Sequence, residues 1–204
     1  MSYRIIRKEE LSTTAWSGGT TTQLAIWPEG ASYASRDFTW RVSTARVDAE
    51  ESEFTRLPGV SRILMILDGT LELEHEGHHS VRLERFGQDA FDGGWTTRSR
   101  GRVTDFNLMM TAGEGSVGLL EIPPRGSLPV AQQQIPATWG VCSEVFYFLS
   151  SDQLVIMPDG RAVPLHTGDV VVLQYGRDCV AEEAELCNFS RMAAYVVRAR
   201  IFHN

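Results

Sequence analysis

Apolar and polar positions alternate along most of this chain with a period of two, most fully between Trp40 and Leu73. Arg41, Ser43, Ala45 and Val47 fall on one face and Trp40, Val42, Thr44 and Arg46 on the other, which predicts a β-strand. An acidic loop leads into Leu57-Pro58-Gly59, where proline fixes φ and glycine tolerates positive φ, so a turn is expected. Ser61 to Leu67 is then apolar on both faces, the pattern of a strand covered on both sides. Asp68-Gly69 carries a type I′ hairpin signal, after which Leu71 and Leu73 point one way and Glu72 and Glu74 the other. Arg62 is the exception in the buried strand. A guanidinium cannot lose its charge to escape burial, so Arg62 must lie at the mouth of the core or face a partner.

The same reading predicts strands around Tyr3 to Arg7, over Thr20 to Trp27 with Thr21, Gln23 and Ala25 on one face, near Phe91, and over Gly115 to Ile122. A hairpin joins Thr70–His75 to Ser80–Leu83. In Arg102 to Met110, Asp105, Asn107 and Met109 share a face, and polar side chains on so apolar a strand need partners. Gly18-Gly19 enters a strand instead of a helix, so it reads as a turn or bulge and not as a phosphate cradle. Residues 29–37 form a polar loop. Residues 123–136 hold four of the eight prolines and read as a linker-like crossing. No helical period exceeds two turns.

Leu67, Leu71, Gly77, Gly87 and Asn107 have counterparts at Leu149, Leu154, Gly160, Gly168 and Asn188, offset by 81 to 83 residues. The expected fold is therefore all-β, with two stacked barrel or sandwich halves: residues 1–122, a linker over 123–137, and 138–204. The chain's 204 residues, 43% of them hydrophobic, suffice for such cores.

A net charge of −7 with scattered basic residues gives no footprint for nucleic acid, and Arg98, Arg100 and Arg102 read as a solvated edge. No run approaches the ~20 apolar residues of a membrane helix, and the N-terminus lacks the apolar region of a secretory signal, so a cytoplasmic protein is expected. Cys142, Cys179 and Cys187 form no CxxC pair and are expected as buried free thiols. Homodimerisation is left open.

Several stretches together resemble the HutD/Ves family of bicupins: residues 16–24 (WSGGTTTQL), Trp40-Arg41-Val42-Ser43, Phe54 through Arg62, and 105–109 (DFNLM). The resemblance covers residues 16–110 and implies a cupin fold duplicated within one chain, usually without the cupin metal site. It also implies a link to histidine breakdown, with a small carboxylate bound to limit or sense the pathway. Two positions depart from the family. Gln23 stands where a glutamate is usual, and no acidic residue stands at Gly94, where one is often found nearby. An amide keeps the hydrogen-bonding shape but cannot act as a base.

The cupin signature of three histidines and a glutamate is absent. In Glu74-His75-Glu76-Gly77-His78-His79, Gly77 marks a hairpin tip, so these imidazoles are expected to splay into water. Neither a metal nor another cofactor is expected. No GxSxG elbow occurs, and His166 reads as a surface residue before Gly168-Asp169. The remaining candidates for a ligand-binding site are Arg62, Arg41, Asn107, Asp105, Thr21, Gln23 and Trp40. Their bland reading is a buried network in which Arg62 pairs with Asp105; as a set, two arginines, one carboxylate and neutral donors would suit a small carboxylate. A binding or pathway-modulating protein is favoured over two alternatives, a metal-independent isomerase or hydrolase and an oligomerising module, because neither an obvious base nor a Lewis acid is present.

Overall fold

The computed structural model describes residues 1–178 and 183–204, apart from the side chain of Ala131. Among these, the only helix is one 3-10 turn at Lys8–Glu10, and no helix is long and apolar enough to cross a membrane. The strands are β1 (Ser2–Ile6), β2 (Ser12–Trp16), β3 (Gly19–Trp27), β4 (Trp40–Val47), β5 (Glu51–Glu53), β6 (Ser61–Gly69), β7 (Leu71–His75), β8 (Ser80–Leu83), β9 (Gln88–Asp92), β10 (Thr97–Arg100) and β11 (Val103–Met110). They continue with β12 (Glu114–Ile122), β13 (Ser127–Ala131), β14 (Val141–Phe148), β15 (Gln153–Ile156), β16 (Ala162–Leu165), β17 (Val170–Gly176), β18 (Glu183–Asn188) and β19 (Ala194–His203).

Two compact units result, one over Leu11–Glu114 and the other over Met1–Glu10 with Gly115–Asn204. The N-terminal unit packs a sheet ordered β2-β3-β4-β11-β6-β9 against one ordered β5-β10-β7-β8. The C-terminal unit has the orders β1-β17-β14-β19-β12 and β13-β18-β15-β16. The run β4-β11-β6-β9 is thus repeated by β12-β19-β14-β17, and β5-β10-β7-β8 by β13-β18-β15-β16, which is a duplicated architecture.

The two-fold division expected from sequence falls elsewhere in the structure. Ser2 to Ile6 pair with Gln174 to Val170, so β1 belongs to the C-terminal unit. The proline-rich crossing is part strand, since Ser127–Ala131 pair with Cys187–Glu183. Asn107 and Asn188 are not counterparts: Asn107 lies in β11, whose position in the repeat is that of β19, whereas Asn188 ends β18. Of the thiols, Cys142 is buried and Cys187 half-buried, both free, and Cys179 lies outside the described residues.

Asp68-Gly69 is also not a hairpin turn. β6 and β7 belong to different sheets, so the chain turns a corner there. Gly69 has φ +86°, and a Cβ on it would stand 2.5 Å from the Arg102 carbonyl oxygen, so glycine is needed for both reasons. The 57–60 turn forms as expected, with the Val60 N–H donating to the Leu57 carbonyl. It is clamped to the 92–95 turn, because Leu57 N–H donates to Gly93 O and Gly93 N–H donates to Val60 O. A Cβ at Gly93 would lie 2.8 Å from Val60 O and 3.3 Å from Arg62 Cδ, so this glycine lets the two turns close beside Arg62.

Leu64, Ile66, Phe91, Val47 and Val103 from the larger sheet meet Leu71, Leu73 and Leu83 from the smaller one in the N-terminal core. A second apolar group, Phe38, Leu57, Val60 and Met109, sits apart from it. Most of the polar side chains expected at a binding site lie on the same inner face.

Candidate functional site

Strand register places most of the expected residues together. Across β3, β4, β11, β6 and β9, one inner row reads Ile26, Arg41, Met109, Arg62 and Phe91. The next row reads Gln23, Ser43, Asn107, Leu64 and Asp89. The row beyond it holds Thr21, Ala45, Asp105 and Ile66. A bulge at Leu24 shifts the register, so Ala25 opposes Val42 and leaves the face expected for it, while Ile26 returns to that face. Trp40 is not part of the group. It neighbours Arg41 in an extended strand and therefore points to the opposite face, where it is buried.

The two arginines differ in what they touch. Arg41 Nε donates to Gln23 Oε1 at 3.0 Å, its Nη1 donates to Ser43 Oγ at 3.0 Å, and its guanidinium lies 4.7 Å from the centre of the Tyr33 ring. Arg62 is 6% exposed, and its Nε is buried without a hydrogen-bond partner among the described residues. Its guanidinium lies between two rings, 4.7 Å from the centre of Phe54 and 5.2 Å from that of Phe91. Aromatic faces support a cation without satisfying its N–H groups. The expected Arg62–Asp105 ion pair is absent among the described residues: the groups attract each other from the neighbouring strands β6 and β11, but Asp105 Oδ1 and Asn107 Oδ1 are also buried without partners. Arg62 and Phe91 line a cleft of about 620 Å³ with Gly59, Val60, Asp92 and Trp95. Arg41, Asn107, Gln23 and Thr21 do not line it.

Burial dominates the electrostatics. It pushes Arg62 down to about 10, with the Arg41 charge adding to the effect and Asp105 opposing it, so Arg62 remains charged at neutral pH. Burial pushes the Asp105 carboxyl up to about 7, opposed by the Arg62 charge and a hydrogen bond from the Ala45 N–H. Burial lowers Arg41 as well.

Asp105 links stability to pH. A carboxyl that holds its proton more tightly when folded leaves folding unaffected below its unfolded value of 3.8 and costs stability as pH rises toward 7. Each unit of difference is worth about 1.4 kcal/mol. Asp105→Asn is expected to flatten the loss of stability between pH 4 and pH 7, measured by urea denaturation across that range. An unchanged slope contradicts the assignment.

The histidine stretch is where the structure departs most from expectation. Gly77 does mark the turn, with φ +77°, but His75 continues the inward alternation of Leu71 and Leu73 and is buried. His75 Nδ1 lies 2.8 Å from Thr97 Oγ1 and its Nε2 2.9 Å from Asp89 Oδ2. His79 Nε2 lies 3.2 Å from both oxygens of Asp89. Burial lowers the His75 pKa against the pull of Asp89. His166 is exposed, as expected.

A concavity of about 680 Å³ lies on the smaller sheet, lined by Glu51, Glu53, Glu72 and Glu74 against Arg82, Arg98 and Arg100. Arg100 pairs with Glu51 at 2.6 Å and Arg82 with Glu72 at 3.1 Å. With acids in excess and two cations engaged, it does not favour an anion.

The HutD family model matches residues 8–188 of the chain. The chain belongs to the HutD family. Protein Ves from Escherichia fergusonii is 32% identical over 114 residues, 53% of this chain and 57% of that protein. The chain therefore spans somewhat over half the length of the curated relatives it matches. A conserved protein of unknown function from Pseudomonas aeruginosa, PA5104, superposes with a TM-score of 0.80 at 20% identity, covering 100% of both chains. HutD from Pseudomonas fluorescens gives 0.68 at 16% identity, covering 97% of this chain and 98% of that one. The fold is a duplicated cupin, shared at low identity with a solved oxalate decarboxylase and a bacterial pirin.

Many cupins carry a metal, but the Arg62 cluster does not fit one. Two guanidinium groups repel a cation, and Asp105 is the one carboxyl among the expected site residues. Tyr33, Ser43 and Phe54, which position the arginines, were not among those residues. Ser43 shares the alternation of Arg41 and was within reach of the pattern. Tyr33 and Phe54 lie outside the regular strands, where no period marks them.

Proposed function

We propose that this HutD-family chain binds a small carboxylate at Arg62, within the barrel of its N-terminal unit, and so senses or modulates a catabolic pathway such as histidine utilisation. One observation carries the reading: Arg62 is a buried cation that borders a cleft, stacks between Phe54 and Phe91, and has an Nε donor without a partner among the described residues. Guanidinium forks match carboxylates with two parallel hydrogen bonds, and such a ligand would supply the missing acceptor. Arg41 adds a second positive charge in the same row, beyond Met109. The P. fluorescens HutD structure is described in a formate condition, and formate is the smallest carboxylate.

A thermal-shift screen of formate, common dicarboxylates and the acids of histidine degradation tests this. At least one acid is expected to raise the melting temperature in a saturable manner, and no response from any acid contradicts the proposal. Gln23→Glu is expected to weaken the best acid by about tenfold, because the new carboxylate would neutralise Arg41, to which Gln23 now offers only a neutral oxygen. Isothermal titration measures the change, and equal affinity in the variant contradicts a role for Arg41.

Asp105 supports a second reading, a metal-independent isomerase or hydrolase acting on the same acid. A carboxyl near 7 is matched to proton transfer at neutral pH, where the Gln23 amide is inert. Product analysis after incubation with the best-binding acid separates the two: turnover lost in Asp105→Asn favours the enzyme, and unchanged acid favours the binding protein.

A further inference from the structure

We propose that His75, His79 and Asp89 form a binding site for one divalent transition-metal ion of the zinc class, separate from the Arg62 cluster. One ligand atom from each residue lies within 4.8 Å of the others, and His75 Nε2 and His79 Nε2 both face the Asp89 carboxylate, at 2.9 and 3.2 Å. Donor atoms around a tetrahedral zinc ion with bonds of about 2.0–2.1 Å are about 3.3 Å apart, so the two histidine-to-carboxylate separations of 2.9 and 3.2 Å are within a few tenths of an ångström of those around a bound ion.

The surroundings fix the donors in this arrangement. His75 ends β7 and His79 directly precedes β8, and the turn between them is closed by His75 N–H donating to His79 O and His78 N–H donating to His75 O. This holds the two rings 4.6 Å apart. Asp89 comes from β9 in the other sheet, so an ion here would link the two sheets of the unit. Phe91 and Trp95 flank the His75 ring at 4.5 and 5.6 Å, and His78 stacks on Trp95 at 3.7 Å. Thr97 Oγ1, at 2.8 Å from His75 Nδ1, supplies the outer contact that ligating histidines usually have. Because the Asp89 carboxylate can only accept, His75 carries a proton on Nε2 in this arrangement, and a metal there would displace that proton while Nδ1 turned to donate to Thr97 Oγ1.

The site is also reachable. The His79 side chain is 40% exposed and that of Asp89 15%, so solvent can reach these two donors. Two imidazoles, one carboxylate and an open position suit zinc and its borderline neighbours, whereas calcium and magnesium prefer six or more oxygens. None of the three donors belongs to the Arg62 cluster.

Tag-free protein, treated with chelator and dialysed, should be titrated with zinc chloride by isothermal calorimetry. One equivalent is expected to bind, and the same equivalent of cobalt(II) should develop the strong visible absorption of a four-coordinate site. His79→Ala and Asp89→Asn, each at a position with solvent exposure, should keep the native near-ultraviolet circular dichroism and bind zinc at least tenfold more weakly. Absence of saturable binding overturns the proposal. Binding of equal strength in both variants overturns it too, because the ion would then sit elsewhere.

Discussion

Replacing Arg62 with alanine is expected to abolish the thermal stabilisation by the best-binding acid while leaving the unliganded protein folded. A ligand at 100 times its dissociation constant stabilises by about 2.7 kcal/mol, which for a domain of this size corresponds to roughly 5–10 °C in melting temperature. All of that shift should vanish in Arg62→Ala. The unliganded variant should lose little, because the side chain makes stacking contacts but leaves a buried donor unmet, and removing it relieves that penalty. Arg62→Lys is the stricter comparison. It keeps the charge and loses the fork, so it should retain a weakened response. Differential scanning fluorimetry with and without the acid reads all three proteins, and a full shift in Arg62→Ala means that the acid binds elsewhere.

Leu64→Ala should produce the largest loss of stability, about 2–5 kcal/mol. Leu64 is 0% exposed on β6, a strand paired on both sides, two residues from Arg62 on the same face, between Asn107 and Asp89 in the register. It belongs to the apolar group that joins the sheets of the N-terminal unit. Truncation leaves a cavity among residues that are held by strand pairing on both sides and cannot collapse to fill it. Urea denaturation followed by tryptophan fluorescence measures the cost, and a loss below about 1 kcal/mol contradicts this account of the core. Variant protein that folds should keep its response to the acid, since Arg62 and its flanking rings remain.

Much of this site is legible in the sequence because strand alternation is a strict geometric rule. Arg41 and Ser43, Asp105 and Asn107, and Thr21 and Gln23 follow from counting by two, and the structure places them on one inner face. Arg62 stands out for a different reason, as a lone charge in an apolar run. The same rule assigns Trp40 to the opposite face and carries Leu71 and Leu73 on to His75, although the composition of the 74–79 turn suggested solvent. A pattern of two extends to the end of a strand whatever residues follow it, and burial of His75 follows from that.

Features that depend on distant pairing are less legible. Asp68-Gly69 has the composition of a hairpin, yet φ +86° at Gly69 serves a corner between sheets, because β6 pairs with β9 and β11 instead of β7. No local signal tells β1 to pair with β17, at a separation of over 160 residues. The single-residue bulge at Leu24 inverts the facing of Ala25 without any glycine to mark it. Asp89 is invisible for the same reason: its meaning comes from His75 and His79 across the barrel, not from its neighbours in β9.

The central claim, that a carboxylate rests on the Arg62 guanidinium, is tested most directly by a crystal structure of the native protein at a saturating concentration of the best-binding acid. The account predicts carboxylate oxygens about 2.7–2.9 Å from the Arg62 nitrogens, with the acid entering from the cleft beside Phe91 and Trp95. Density for the acid on Arg98 and Arg100 of the smaller sheet, with none at Arg62, would contradict it.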